Sequence, residues 1–259
     1  MKKRYIILIL CFLIYLLIAL FIFGSPKKKK SDEADYILFA NNQIWKYSNS
    51  EFFDVLDNVN IVGQKKFYIY DNGTYKGYFN LGLYESKIYL FDDDDNSYKY
   101  DGELMGFTDN NKHKVVNLLS QQLDDNDTLF IQKEFNKNNL EYQYINLNNV
   151  NKYVADIDND GENEIIYNIS NMLDEEKQGK GYSLIFINDS DKIYELIKDI
   201  KSNQKSLLDG YGYYMNNIAD LNGDGKLDFI IAKSEYGSSN LCYMLIESVK
   251  NKYKITKKC

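Results

Sequence analysis

From Tyr36 onward the chain alternates short apolar or aromatic runs with clusters of Asn, Asp and Gly. Runs of this length, bounded by turn residues, read as strands. The predicted strands are Tyr36–Ala40, Gln43–Tyr47, Lys66–Tyr70, Thr74–Asn80, Lys87–Phe91, Thr128–Phe135, Glu141–Leu147, Glu164–Ile169, Tyr182–Ile187, Leu227–Ala232, Leu241–Val249 and Lys252–Lys257. Asp71-Asn72-Gly73 between two such runs is a hairpin signal. Helical periodicity is weak. Lys114–Leu123 and Ile193–Ile200 fit short helices, and Ser50–Leu56 fits one turn. Many short strands at close spacing predict an all-β domain, built as a sandwich, barrel or propeller.

The N-terminus follows another pattern. Tyr5 to Phe23 carries no charge. As a helix this run spans roughly 28 Å, close to the hydrocarbon thickness of a bilayer. It ends in Phe21-Ile22-Phe23 rather than the small residues of a signal-peptide cleavage site, so it reads as an uncleaved transmembrane helix. The expected organisation is a basic tail (1–4), the helix (5–23), a charged stalk (24–35), a β-rich region without recognisable repeat (36–140) and two repeats (141–259). Basic residues flank the helix on both sides, so flanking charge leaves its orientation open.

The two repeats are visible as aligned segments. Ala155-Asp-Ile-Asp-Asn-Asp-Gly-Glu-Asn-Glu-Ile-Ile166 matches Ala219-Asp-Leu-Asn-Gly-Asp-Gly-Lys-Leu-Asp-Phe-Ile230 at an offset of 220 − 156 = 64 residues. Each is followed by further predicted strands, Tyr182–Ile187 then Lys192–Leu196, and Leu241–Val249 then Lys252–Lys257. That is one supersecondary unit used twice, of roughly propeller-blade size.

The aligned segments carry the candidate chemistry. Calcium takes six to eight oxygen ligands, and a tight loop supplies them from alternate positions. In the first loop the side-chain ligands are Asp156, Asp158, Asp160 and Glu164, with the carbonyl of Glu162 at position 7. In the second they are Asp220, Asn222, Asp224 and Asp228, with the carbonyl of Lys226. Gly161 and Gly225 stand at position 6, where the chain must turn sharply. The last acid is at position 9. An EF-hand requires a bidentate Glu at position 12, where this chain has Tyr167 and Ile231. Both loops run directly into β-branched residues, so they predict strand-loop-strand sites. With four acids against three, the first site is expected to bind calcium more tightly.

These segments resemble the calcium loops of FG-GAP/VCBS-type repeats, as found in integrin-like β-propellers. The resemblance covers roughly residues 150–259. It implies a propeller-like blade per repeat, calcium as the ion, and a surface adhesion or ligand-binding role. Two repeats are recognisable, and the Phe-Gly and Gly-Ala-Pro elements that name the repeat are absent. The length of the β-rich part excludes a closed six- or seven-bladed ring in one chain.

Charge narrows the partners. Removing the seven basic residues around the helix leaves 31 − 7 = 24 basic residues against 38 acids, a net of −14. Such a domain repels nucleic acid, so no nucleic-acid partner is expected. Extracellular calcium modules commonly have a Kd of about 10⁻⁴–10⁻³ M, which favours an extracytoplasmic C-terminal domain.

The remaining signals are weaker. His113 is the single histidine, cannot build a multi-histidine zinc site, and is expected on the surface. Trp45 is expected to pack in a sheet, with a sugar platform as the alternative. Asp92–Asp95 reads as a solvated turn rather than a decayed third site. A hairpin turning at Lys250-Asn251 would set Cys242 against Cys259, giving either a cross-strand disulfide or two free thiols. No catalytic constellation is visible. The expected function is a non-enzymatic, membrane-anchored module with structural calcium and a protein or glycan ligand. The alternative is a carbohydrate hydrolase using paired carboxylates.

Overall fold

The computed structural model describes residues 34–40, 43–55, 65–84, 87–94, 96–99, 104–109, 113–140, 147–158, 160–171, 181–190, 192–201, 211–235, 241–249 and 252–258. The apolar segment 5–23, the stalk as far as residue 33, and residues 141–146 of one expected strand lie outside them. Among the described residues, no helix is long and apolar enough to cross a membrane.

The fold is all-β in character, with three antiparallel sheets and one longer helix among the described residues. The first sheet holds β1 (Asp35–Phe39), β2 (Gln43–Ser48), β3 (Glu51–Asp54), β4 (Lys66–Asp71), β5 (Thr74–Tyr84), β6 (Lys87–Phe91), β7 (Ser97–Lys99) and β8 (Leu104–Phe107). Its order is β3-β2-β1-β8-β4-β5-β6-β7, so β8 returns to fill the place between β1 and β4. The Asn72-Gly73 turn forms as expected. Asp71 pairs with Thr74, and both turn residues have positive φ, as a primed hairpin turn requires. Gly73 has a second reason to be glycine, because a Cβ there would lie 2.6 Å from the backbone nitrogen of Asn117.

The two repeats are two antiparallel meanders. The first runs through β10 (Val150–Ala155), β11 (Glu164–Asn171), β12 (Gly181–Asp189) and β13 (Lys192–Lys201), with β9 (Leu119–Gln121) added beside β10. The second runs through β14 (Tyr211–Ala219), β15 (Asp228–Glu235), β16 (Leu241–Val249) and β17 (Lys252–Lys257). Each acidic loop joins the first two strands of its meander. The closing pairs correspond as well, Ala155 with Glu164 and Ala219 with Asp228.

Layering explains why the strand runs are continuously apolar rather than alternating. In β12, Leu184 and Phe186 face the helix α1 (Asp125–Lys137), while Ile185 and Ile187 face the second repeat. In β15, Phe229 and Ile231 face the first repeat, while Ile230 faces the eight-stranded sheet beside Phe39 and Trp45. Strands covered on both faces need apolar residues on both.

Four local expectations are corrected. Thr128–Phe135 lies in the helix α1, not a strand. Asp124 caps it by accepting from the N–H groups of Asn126 and Asp127, and the Asp127 carboxylate accepts the Asp124 N–H in return. Ile131 and Phe135, one turn apart, are the buried stripe. Ile193–Ile200 lies in the strand β13, not a helix. Ile185 pairs with Ile197 but Phe186 pairs with Glu195, so Leu196 is an extra, bulged residue. The bulge turns Leu196 and Ile197 both inward, and that spacing imitates a helical face. Lys114–Leu123 is also extended, pairing through Val115 with Ala219 and through β9 with β10. Ser50–Leu56 holds the strand β3 over Glu51–Asp54.

Trp45 is core. It is buried against Phe39 and donates from Nε1 to Asp54 Oδ1 at 2.9 Å. Cys242 is disulfide-bonded, and Cys259 lies outside the described residues. Glu247 pairs with Lys254 as the hairpin register requires, but a bulge shifts the pairing by one between Ile246 and Leu245.

Candidate metal centre

Both loops leave one strand at Ala, wrap through eight residues and enter the next strand on an acid. Three hydrogen bonds recur at the same offset. Ile157 N–H donates to Glu164 Oε2 at 2.6 Å, and Leu221 N–H donates to Asp228 Oδ2 at 3.2 Å. Asp160 N–H donates to Asp158 Oδ1, and Asp224 N–H to Asn222 Oδ1. Glu162 N–H donates to Asp160 Oδ1, and Lys226 N–H to Asp224 Oδ1. Gly161 and Gly225 have φ of 92° and 87°, the left-handed region that disfavours any other residue. The alternate acids thus wind the backbone into the same ring twice.

In the first loop Asp156, Asp158 and Glu164 each place an oxygen within 4.8 Å of the other two, close enough to share one ion. Asp160 stands outside that trio and is engaged by the Glu162 amide. In the second loop Asp220 is turned onto the loop itself, accepting from the N–H groups of Asp224 (3.1 Å) and Gly225 (2.9 Å). Among the described residues, the first loop alone brings three acids together at ion-sharing distance. The side chains of Glu162 and Lys226 are exposed, consistent with roles confined to their carbonyls.

The position-9 acids are the electrostatic centre of each loop. Burial raises the Glu164 carboxyl above the ordinary range, and the charges of Asp158, Asp160 and Asp156 add to that. Asp228 is only 1% exposed, and burial pushes its carboxyl up to about 8, against the Leu221 N–H and with Glu247, Asp224 and Asp220 adding repulsion. A cation among these groups would relieve both desolvation and repulsion. The side chains the two loops gather are carboxylates and one amide, without thiol, which is the chemistry of a hard-cation site.

Several contributing residues were not legible in the loops. Glu247 on β16 accepts from Asn222 Nδ2 at 3.2 Å, bringing a fourth acid to the second loop. It lies one step beyond the Phe229–Ile246 pair, opposite Asp228. Asp189 on β12 stands at the matching place, one step beyond the Ile165–Asn188 pair and opposite Glu164. Each meander thus supplies a further acid from its third strand. Tyrosines adjoin both loops. Burial, then Tyr194, Glu164, Asp158 and Asp189, push the Tyr253 hydroxyl up to about 12. The Tyr47 hydroxyl is raised by burial and then by Glu247, Asp224 and Asp228.

His113 is not on the surface. It is 8% exposed, stacks on Phe107 at 4.0 Å between ring centroids, and meets the carbonyl of Asp220 through Nδ1 at 2.7 Å. A carbonyl only accepts, so Nδ1 carries the proton. Lys114 C=O accepts the Asp220 N–H at 2.8 Å, so both backbone groups of Asp220 are held by residues 113 and 114. Asp92 closes its own turn by accepting from the N–H groups of Asp94 and Asn96, as a solvated turn does. Set against protein-family models, curated proteins and solved structures, the chain matches none.

Proposed function

We propose that this chain is a membrane-anchored, extracytoplasmic calcium-binding β protein of FG-GAP/VCBS type. In this reading each meander is a propeller-like blade, its loop holds one structural calcium, and the domain is a non-enzymatic module that presents a surface to a protein or glycan ligand. The observation that carries it is the recurrence of one hydrogen-bonded acidic ring in two separate loops, each closed by a buried acid. A fortuitous turn has no reason to repeat its hydrogen bonds 64 residues later, whereas a cation demands the same oxygen geometry each time. The anchor rests on the uncharged run from Tyr5 to Phe23.

Calorimetric titration of the full chain in detergent, with thermal melts, tests the calcium reading. Two sites with Kd of about 10⁻⁴–10⁻³ M and a rise in Tm are expected. Absence of both heat and shift at millimolar calcium would overturn it.

A further inference from the structure

The second residue of each acidic loop is apolar, and neither points to solvent. Ile157 is 6% exposed and belongs to a core cluster with Phe229, Ile231, Met244 and Ile246, which come from the other repeat. Leu221 is 0% exposed and belongs to a cluster with Ile37, Phe39 and Trp45, which come from the eight-stranded sheet. Each loop therefore plugs a side chain into the core shared with a neighbouring sheet. The neighbour answers with a tyrosine. Tyr253 of β17 packs against the cluster that holds Ile157 and stands edge-on to Phe229 and Tyr194, and Tyr47 of β2 packs against the cluster that holds Leu221.

The plug is tied to the acids by one bond. The N–H of Ile157 is held by Glu164, and that of Leu221 by Asp228. These two carboxylates close the candidate calcium rings, so the group that would meet the ion also fixes the backbone of the plug. Side chains packed in a core have discrete arrangements rather than a continuous range, so a change in the ring is passed on to the packing.

We infer that each acidic loop is a cation-set latch, in which calcium fixes the position-9 acid, the acid fixes the plug, and the plug docks one sheet on the next. The first loop latches repeat one to repeat two, and the second latches repeat two to the eight-stranded sheet. The inference rests on the calcium reading and goes beyond it. Calcium would govern how the sheets hold together, not only the local order of a loop.

Hydrogen exchange of the full chain, with chelator and with millimolar calcium, tests this, with calorimetry in parallel. Calcium is expected to slow exchange at least about tenfold in β17, which faces the first loop, and in β2, which faces the second. In Leu221→Ala, calcium should still protect the second loop but no longer β2, while β17 keeps its protection. Leu221→Val, a milder truncation, should show a reduced version of the same loss if the alanine variant does not fold. Binding by calorimetry with unchanged exchange in β17 and β2 would overturn the latch and leave the calcium reading standing. Equal slowing across every strand would also overturn it, as general stabilisation. Failure to bind calcium at all would remove the reading and the latch together.

Discussion

Asp228→Asn separates a metal site from an ordinary buried turn by how its effect on stability responds to calcium. The substitution removes a charge but keeps an oxygen that can accept the Leu221 N–H. In the metal-free protein the Asp228 carboxyl is pushed from 3.8 up to about 8, so folding at neutral pH works against its ionisation. Because the folded value lies above the unfolded one, this cost is absent below about pH 4. It grows as pH rises through the interval to about 8 and is then constant. At pH 7 the difference of 7 − 3.8 = 3.2 corresponds to on the order of 4 kcal/mol. Asparagine pays none of it.

In chelator at pH 7 the variant should therefore melt higher than the parent, by roughly 8–16 °C at about 2–4 °C per kcal/mol. The advantage should shrink towards zero as the pH approaches 4. In millimolar calcium the gap should narrow by about 0.4–1.4 kcal/mol, because the parent gains binding energy at this loop and the variant does not. Thermal melts of both proteins over pH 4 to 8, with and without calcium, measure all of this. A variant less stable than the parent in chelator at pH 8 would mean that the ionised carboxylate is itself stabilising, and the reasoning would be refuted. Equal calcium stabilisation of the two proteins would refute it independently.

Glu247→Gln should weaken calcium binding at the second loop by about tenfold while leaving the first loop unchanged, since ligand charge tunes affinity; two-site calorimetry reads both. Lys152→Met should cost about 3–5 kcal/mol in chemical denaturation at pH 7, because Lys152 Nζ lies 2.7 Å from the buried Asp127 carboxylate and methionine leaves that charge unpaired. Burial alone would raise the Asp127 carboxyl, but Lys152, Tyr167 and the Asp124 N–H together hold it below its ordinary value. Its contribution is thus fully present above about pH 4 and lost as the pH falls from there through the lowered folded value, so parent and variant should converge only below that value.

What could be read ahead of the structure was whatever is encoded locally. The Asn72-Gly73 hairpin, the strands from Leu241 to Lys257 and the strand-loop-strand connections that carry the acids depend on residues a few positions apart, and each formed where expected. What could not be read depends on distant partners. β14 holds Asn216 and Asn217, which look like a turn. It persists as a strand because Asn216 is a bulge and because its outer backbone groups find side chains elsewhere. Asn168 Nδ2 donates to Tyr213 C=O, Met215 N–H donates to Asn168 Oδ1, and Tyr213 N–H donates to Ser183 Oγ. β10 carries Lys152 into the interior, tolerable only because Asp127 arrives from α1.

The helix α1 had a local signal that was missed. Asp124 and Asp127 have the spacing of a capping box, but the apolar run from Thr128 to Phe135 reads equally as a strand. The same distinction governs the candidate site. The loop ligands repeat at an offset of 228 − 164 = 64, while the acids opposite them on the third strands, Asp189 and Glu247, differ by 247 − 189 = 58. The connection between the second and third strands is shorter in the second repeat, so a linear alignment separates residues that the register brings to the same place. A ring of oxygens can be seen in sequence where one loop supplies it, and must be found in the sheet where a neighbouring strand completes it.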